Sequence, residues 1–159
     1  LEDLKTLQRE MGFDLLLNEH RYLSRGNDRI ALIGVENWGR GGFIKVGDLS
    51  KAAEGIKEND FKILLSHDPS HWEDRVIHDK LHYHLTLSGH THGMQFGVEI
   101  PGWVKWSPVK WRYKYWAGVY EELGQYINVN RGFGFLAYPG RVGIWPEISV
   151  IRLRKAGMS

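Results

Sequence analysis

Apolar residues recur every three or four positions at the start of the chain, at Leu1, Leu4, Leu7 and Met11, and Gly12 follows them. That spacing predicts a helix ending at the glycine. Residues 13–17 form a short apolar run with strand character. Tyr22-Leu23 and the stretch 30–35 flank Gly26-Asn27, a turn dipeptide, and together read as a hairpin. Gly39, Gly41 and Gly42 mark a loop whose spacing fits neither the P-loop nor the dinucleotide fingerprint and is read as a connection. Asp48 then caps a helix over 49–56.

Phe61-Lys62-Ile63-Leu64-Leu65 is a compact apolar run that leads into Ser66-His67-Asp68-Pro69. Ser70-His71-Trp72-Glu73 has the pattern of a capping box, and Trp72, Val76, Ile77 and Leu81 continue at helical spacing. Residues 83–87 make the next strand, which runs out at Ser88-Gly89-His90-Thr91-His92-Gly93. Strand, helix and strand of these lengths make a βαβ unit, whose parallel strands end on the same edge of the sheet. His67 and the pair His90 and His92 are therefore expected to converge. Later strands are predicted at 95–100, 126–130 and 148–153, with an irregular aromatic stretch at 101–118. The pattern predicts an α/β fold with a mixed sheet, and residues 1–159 as a single domain without internal repeats.

A chain of 159 residues with 42% hydrophobic and 25% charged residues has the composition of one globular domain. Its formal charge of +2 is too small for a global field that attracts nucleic acid. Cysteine is absent, which removes disulfides and thiolate ligands together. No apolar run approaches the roughly 20 residues that cross a bilayer, and the first residues lack the basic-then-apolar order of a secretory signal. A helix opening on Leu1 without a methionine reads as a cut inside a longer protein.

Neutral imidazole is the commonest nitrogen ligand for divalent metals, and histidines at the ends of adjacent strands present their rings from a rigid edge. His90 and His92 are one residue apart, and Gly89 and Gly93 beside them are expected to let the backbone turn and aim the two rings separately. Single histidines are weaker signals. His20 reads as a solvated or hydrogen-bonded residue, and His71, His78 and His82 are placed on the helix surface. His84 reads as a packed strand residue rather than a partner to a metal ligand.

These residues resemble a known family, the calcineurin-like metallophosphoesterases, and in particular its bacterial membrane-associated branch. The resemblance rests on Leu64-Leu65-Ser66-His67-Asp68-Pro69, on Leu87-Ser88-Gly89-His90-Thr91-His92-Gly93-Met94-Gln95, and on Asn130-Arg131-Gly132-Phe133-Gly134 followed by Pro146-Glu147-Ile148. It implies the C-terminal half of a four-layer αββα sandwich with mixed β-sheets, in which five short motifs hold two divalent ions, Mn, Fe, Zn or Ni. This chain matches the last two motifs. Carried over by motif, His67 and His90 bind the second ion and His92 the first, and the complete enzyme lets a bridging hydroxide attack the phosphorus of a phosphomono- or diester. The Asp-x-His, Gly-Asp-x-x-Asp and Gly-Asn-His motifs are missing. Gly47-Asp48, Asn18-Glu19-His20 and Gly26-Asn27-Asp28 come nearest and read as caps and turns. Hard cations held close together need anionic oxygen ligands. The chain by itself is therefore expected to bind at most one ion weakly and to hydrolyse little. No catalytic residue is assigned within it.

Trp103, Trp106, Trp111 and Trp116 are interleaved with Lys105, Lys110, Arg112 and Lys114, with no acidic residue among them. Indoles favour membrane interfaces and basic groups favour anionic headgroups, so a membrane surface or a lipid-linked phosphate substrate is one expected partner. Packing of the tryptophans against the fold under lysine and arginine stems is an equal alternative. Stacking on single-stranded nucleic acid ranks third. A non-catalytic membrane- or protein-interaction module is the rival to the hydrolase reading. Half a sandwich also exposes strand edges and apolar faces, which predicts self-association. Membrane association is expected of the longer protein.

Overall fold

A computed structural model describes residues 2–42, 44–136 and 138–155, so Leu1 of the opening helical pattern lies outside the described residues. Helix α1 (Glu2–Glu10) stops before Gly12, which takes a φ of +89°. Strands β1 (Glu19–Arg25) and β2 (Asp28–Gly34) form the expected hairpin around Gly26-Asn27. A four-residue helix α2 (Leu49–Ala52) precedes β3 (Phe61–Leu65). Helix α3 (Ser70–Asp74) and a 3₁₀ turn (Val76–His78) lead to β4 (Leu85–Ser88). A small hairpin of β5 (Val98–Ile100) and β6 (Val104–Trp106) comes next, then a 3₁₀ turn (Pro108–Trp111), β7 (Gly118–Glu122) and β8 (Gln125–Val129).

The six-stranded sheet has the order β1-β2-β3-β4-β8-β7, with β2, β3, β4 and β8 parallel and both edge strands antiparallel. This is the mixed α/β sheet that the pattern predicts. Central parallel strands read as continuous apolar runs because helices cover them. On one face Ala31, Ile33, Leu64, Ile127 and Val129 are buried under Leu49, Ala52, Trp72, Val76, Ile77 and Tyr115. Trp72 is fully enclosed and meets Tyr115 edge to face at 4.9 Å. The opposite face carries Phe61, Leu85 and Tyr126 beside Ile151 and Leu153, around an open cavity of about 360 Å³. Among the described residues no helix is long and apolar enough to cross a membrane.

Several elements are shorter than their patterns. Residues 13–17 form no strand, because β1 already occupies the edge of β2 with Glu19 opposite Gly34. Asn18 instead turns the chain at φ +59° and braces it with four bonds. Its amide donates to Glu36 (3.0 Å) and the Val46 carbonyl (2.8 Å), and its oxygen accepts from Glu36 N–H (3.0 Å) and Asp48 N–H (2.8 Å). That uses the full capacity of a buried carboxamide. The helix expected over 49–56 is confined to α2, where Asp48 accepts from Lys51 N–H as its cap. Residues 148–153 alternate as expected but lie in no ladder, and Ile148 and Val150 face solvent.

The capping box does not form. Asp68 accepts from both the N–H and the hydroxyl of Ser70, and the helix breaks at Arg75 (φ −139°, ψ −52°). His71 is consequently not on a helix surface but wholly buried, stacked on Trp38 at 4.4 Å with Nδ1 2.9 Å from the Ser66 hydroxyl. His78 and His82 are exposed as expected. His84 packs on Phe61 and accepts from Lys62 N–H, so the packed reading holds for it.

Burial pushes the His71 imidazole from 6.5 down to about 4, against weaker opposing pulls from Asp68, Asp74 and Asp79. Below about pH 6.5 the unfolded chain takes up a proton that the folded chain refuses, so stability declines until the folded ring also titrates. The decline attributable to this group is about 3 kcal/mol between pH 7 and pH 4. Urea unfolding across that range is expected to show it, and His71→Phe is expected to flatten the profile by that amount whatever its absolute stability. Parallel profiles would exclude the assignment.

Candidate metal centre

Strands β3 and β4 pair in parallel with Ile63 opposite Leu85 and Leu65 opposite Leu87. The ladder continues beyond both strands, with Ser66 N–H donating to the Leu87 carbonyl and Gly89 N–H to the His67 carbonyl, each at 3.0 Å. The Ser88 hydroxyl also donates to the Ser66 carbonyl at 2.6 Å. These bonds carry the pairing into the loops and leave His67 and His90 side by side. Their rings lie edge to face with centroids 5.2 Å apart. His90 Nε2 is 2.7 Å from the Tyr113 hydroxyl, the two exchanging roles as donor and acceptor with the imidazole tautomer.

His92 follows on the same loop, half-buried, and its Nδ1 is enclosed without a hydrogen-bond partner among the described residues. Desolvation, reinforced by Arg141 and His90, lowers the pKa of His92 below 6.5. His67 reaches the surface, yet the protein packed around its ring and the repulsion of His90 lower its pKa as well. Both rings are therefore neutral at pH 7, the form with a lone pair to give to a cation.

Backbone strain is concentrated here. His90 (φ +69°), His92 (+51°), Gly93 (+57°), Met94 (+54°) and Gln95 (+56°) all occupy the left-handed region, where a non-glycine residue costs about 1–3 kcal/mol. The surroundings over-determine them. The Thr91 hydroxyl donates to the Trp116 carbonyl (2.7 Å) and Ser107 donates to the Gly93 carbonyl (2.8 Å). The Gln95 amide donates to the carbonyls of Tyr138 and Gly140 at 2.6 and 2.5 Å. Arg141 reaches the His92 carbonyl (3.4 Å) and the Arg131 carbonyl (3.0 Å). Arg131 is itself paired with Glu147 at 2.7 Å and with Glu99. At Gly143 (φ +68°) a Cβ would lie 1.9 Å from the Gly97 carbonyl, so only glycine lets the C-terminal segment close on the base of the small hairpin.

The site opens into a cleft of about 590 Å³ lined by His90, His92, Met94, Trp111, Arg112 and Tyr113. The donors present match the imidazole part of a metal site and stop there. Asp68, the nearest carboxylate along the chain, is engaged by Ser70 and by Arg40 N–H. Among the described residues no three His, Asp or Glu side chains are grouped to hold an ion. The three sequence-predicted residues thus divide. His67 and His90 are brought together, whereas His92 lies on the continuing loop with an unused Nδ1. Tyr113, Thr91 and Arg141 were not signalled by spacing. Tyr113 lies 23 residues beyond His90 within the aromatic segment, and only the fold joins the two.

No family model matches the chain. No solved structure matches it either. Two curated proteins do. Over 151 residues it is 30% identical to the "Uncharacterized metallophosphoesterase YkuE" of Bacillus subtilis (strain 168), a match covering 94% of this chain and 50% of that protein. Over 146 residues it is 29% identical to "Phosphodiesterase YaeI" of Escherichia coli (strain K12), covering 89% and 48%. The chain spans about half the length of the curated relatives it matches.

The two glycines flanking the histidine pair are not equivalent. A Cβ at Gly93 would meet Ile144 at 2.9 Å on a left-handed backbone, whereas at Gly89 it would find ordinary contacts at 3.7 Å. Gly93→Ala is expected to lower stability by about 1–3 kcal/mol and Gly89→Ala by less than about 1 kcal/mol in urea unfolding. Equal losses would contradict this geometry.

Proposed function

The chain is related to the metallophosphoesterases, and from that premise we propose that it supplies the histidine part of a divalent-metal site that hydrolyses phosphoesters. The observation that carries the reading is the facing pair of His67 and His90 rings, 5.2 Å apart at the C-terminal edge of β3 and β4. His67 and His90 are the ligands of one ion, and His92, with its unsatisfied Nδ1, is the ligand held ready for another. Carboxylate ligands come from residues beyond those in this chain, in a longer domain of which residues 1–159 are the C-terminal part.

Divalent ions at such a site polarise phosphoryl oxygens and lower the pKa of water. This chain's own residues prepare for that role. Burial and neighbouring charge keep the His67 and His92 imidazoles unprotonated, and Tyr113 fixes the orientation of His90. Arg112 on the cleft wall presents a cation to a phosphoryl group. A phosphodiester is the favoured substrate class, after the name of the Escherichia coli relative. The metal is Mn, Fe, Zn or Ni, since imidazole sites accept all four.

Calorimetric titration of Mn²⁺ into the chain beside His67→Ala, His90→Ala and His92→Ala tests the assignment. One ion, bound more weakly than about 1 μM, is expected in the parent, with binding lost in His67→Ala and His90→Ala and retained in His92→Ala. Parent and His90→Ala titrating alike, or no binding of any of the four metals, would overturn the site. Two ions bound tightly by this chain would overturn the requirement for outside carboxylates.

A further inference from the structure

The four tryptophans of the aromatic segment have different surroundings. Trp116 is buried in a second small core with Val109, Ala117 and Ile144, so packing accounts for it. Trp103, at the β5–β6 turn, is 80% exposed, and Trp111 is 75% exposed. Trp106 is half-buried and meets Trp111 edge to face at 6.0 Å.

The hairpin between them sorts charged and apolar side chains onto different faces. In its register Glu99 stands opposite Lys105, while Val98 pairs with Trp106 and Ile100 with Val104. Side chains alternate between the two faces of a ribbon, so Glu99 and Lys105 share one face and the four apolar residues share the other. The polar ends of this pair are tied back to the protein, although Lys105 as a residue stays exposed. Glu99 pairs with Arg131, and the Lys105 ammonium donates to the Ala117 carbonyl and lies over the Trp116 ring at 5.2 Å. The other face carries Val98 and Ile100, both exposed, and Val104 and Trp106, both half-buried.

Exposed Lys110 and Arg112 flank Trp111, and residues 100–118 contain no acidic side chain. We infer that this outward apolar hairpin, with Trp103, Trp111 and Lys110, is a docking surface for a lipid bilayer rich in anionic headgroups. Indole rings occupy the interfacial zone, the aliphatic face of the ribbon enters the acyl boundary, and the flanking cations meet negative headgroups. A contiguous exposed apolar patch marks an interaction surface, and the one-signed charge beside it selects an anionic membrane over a neutral one. Docking uses no metal and none of the histidines, so it stands or falls separately from the hydrolase assignment.

Flotation with vesicles of phosphatidylcholine, and with vesicles in which about a third of the lipid is phosphatidylglycerol, tests the surface. The parent chain is expected to float with the anionic vesicles and to be released by salt. Trp103→Ala combined with Trp111→Ala should weaken partitioning about tenfold or more, and Lys110→Glu about fivefold at low salt. All three positions are exposed, and circular dichroism checks that the variants remain folded. Equal partitioning of parent and double variant would overturn the proposal. So would a parent that floats with neither vesicle, or one that forms dimers in sedimentation velocity which the double variant loses, because the face would then join two copies of the chain.

Discussion

The parallel register of β3 and β4 is the constraint on which the site depends. Once Ile63 lies opposite Leu85, the two strands end level, and the bonds from Ser66 to Leu87 and from Gly89 to His67 carry the pairing past the last strand residue. His67 and His90 are 23 positions apart in sequence, yet the extended pairing brings them level, with His90 turned at φ +69°. Parallel strands need a crossover between them, and here α3 and its 3₁₀ turn are short, with Trp72, Val76 and Ile77 packed onto the sheet. The same packing that makes the core sets the level at which the histidines emerge.

What supports His92 is of a different kind. Its loop holds four non-glycine residues in the left-handed region, and beside a few local bonds it is restrained from far along the chain, by Ser107, Trp116, Tyr138, Gly140 and Arg141. The motif at 130–134 and the Glu147 that follows it serve this end structurally. Arg131 joins Glu99 of the small hairpin to Glu147 of the C-terminal segment. The site is a rigid strand edge joined to a loop held under strain.

Much of this was legible from the residues. The hairpin at Gly26-Asn27, the apolar strands and the convergence of His67 with His90 follow from period and connection, which depend on neighbours in sequence. The errors share a cause. Residues 13–17 and 148–153 have strand composition but join no ladder of the sheet, and a pairing partner is a tertiary property. His71 looked like a surface residue because its helix was expected to continue. The break at Arg75 and the stacking on Trp38 bury it instead. Gly89 and Gly93 look alike in the motif, yet His90 itself makes the left-handed turn expected of Gly89. The tryptophans likewise look uniform in sequence and separate only when the ribbon's two faces are known.

The remoteness of the loop's restraints bears on the order of folding. The β3–α3–β4 unit closes a short stretch of chain, so the histidine edge can assemble early from nearby contacts. The left-handed turn at His92 gains its support only when residues 107–147 have found their places, and closing longer loops costs more entropy before any contact repays it. A polypeptide emerging from the ribosome would therefore present His67 and His90 well before the rest of the pocket exists, and the strained loop would be the last part to become native.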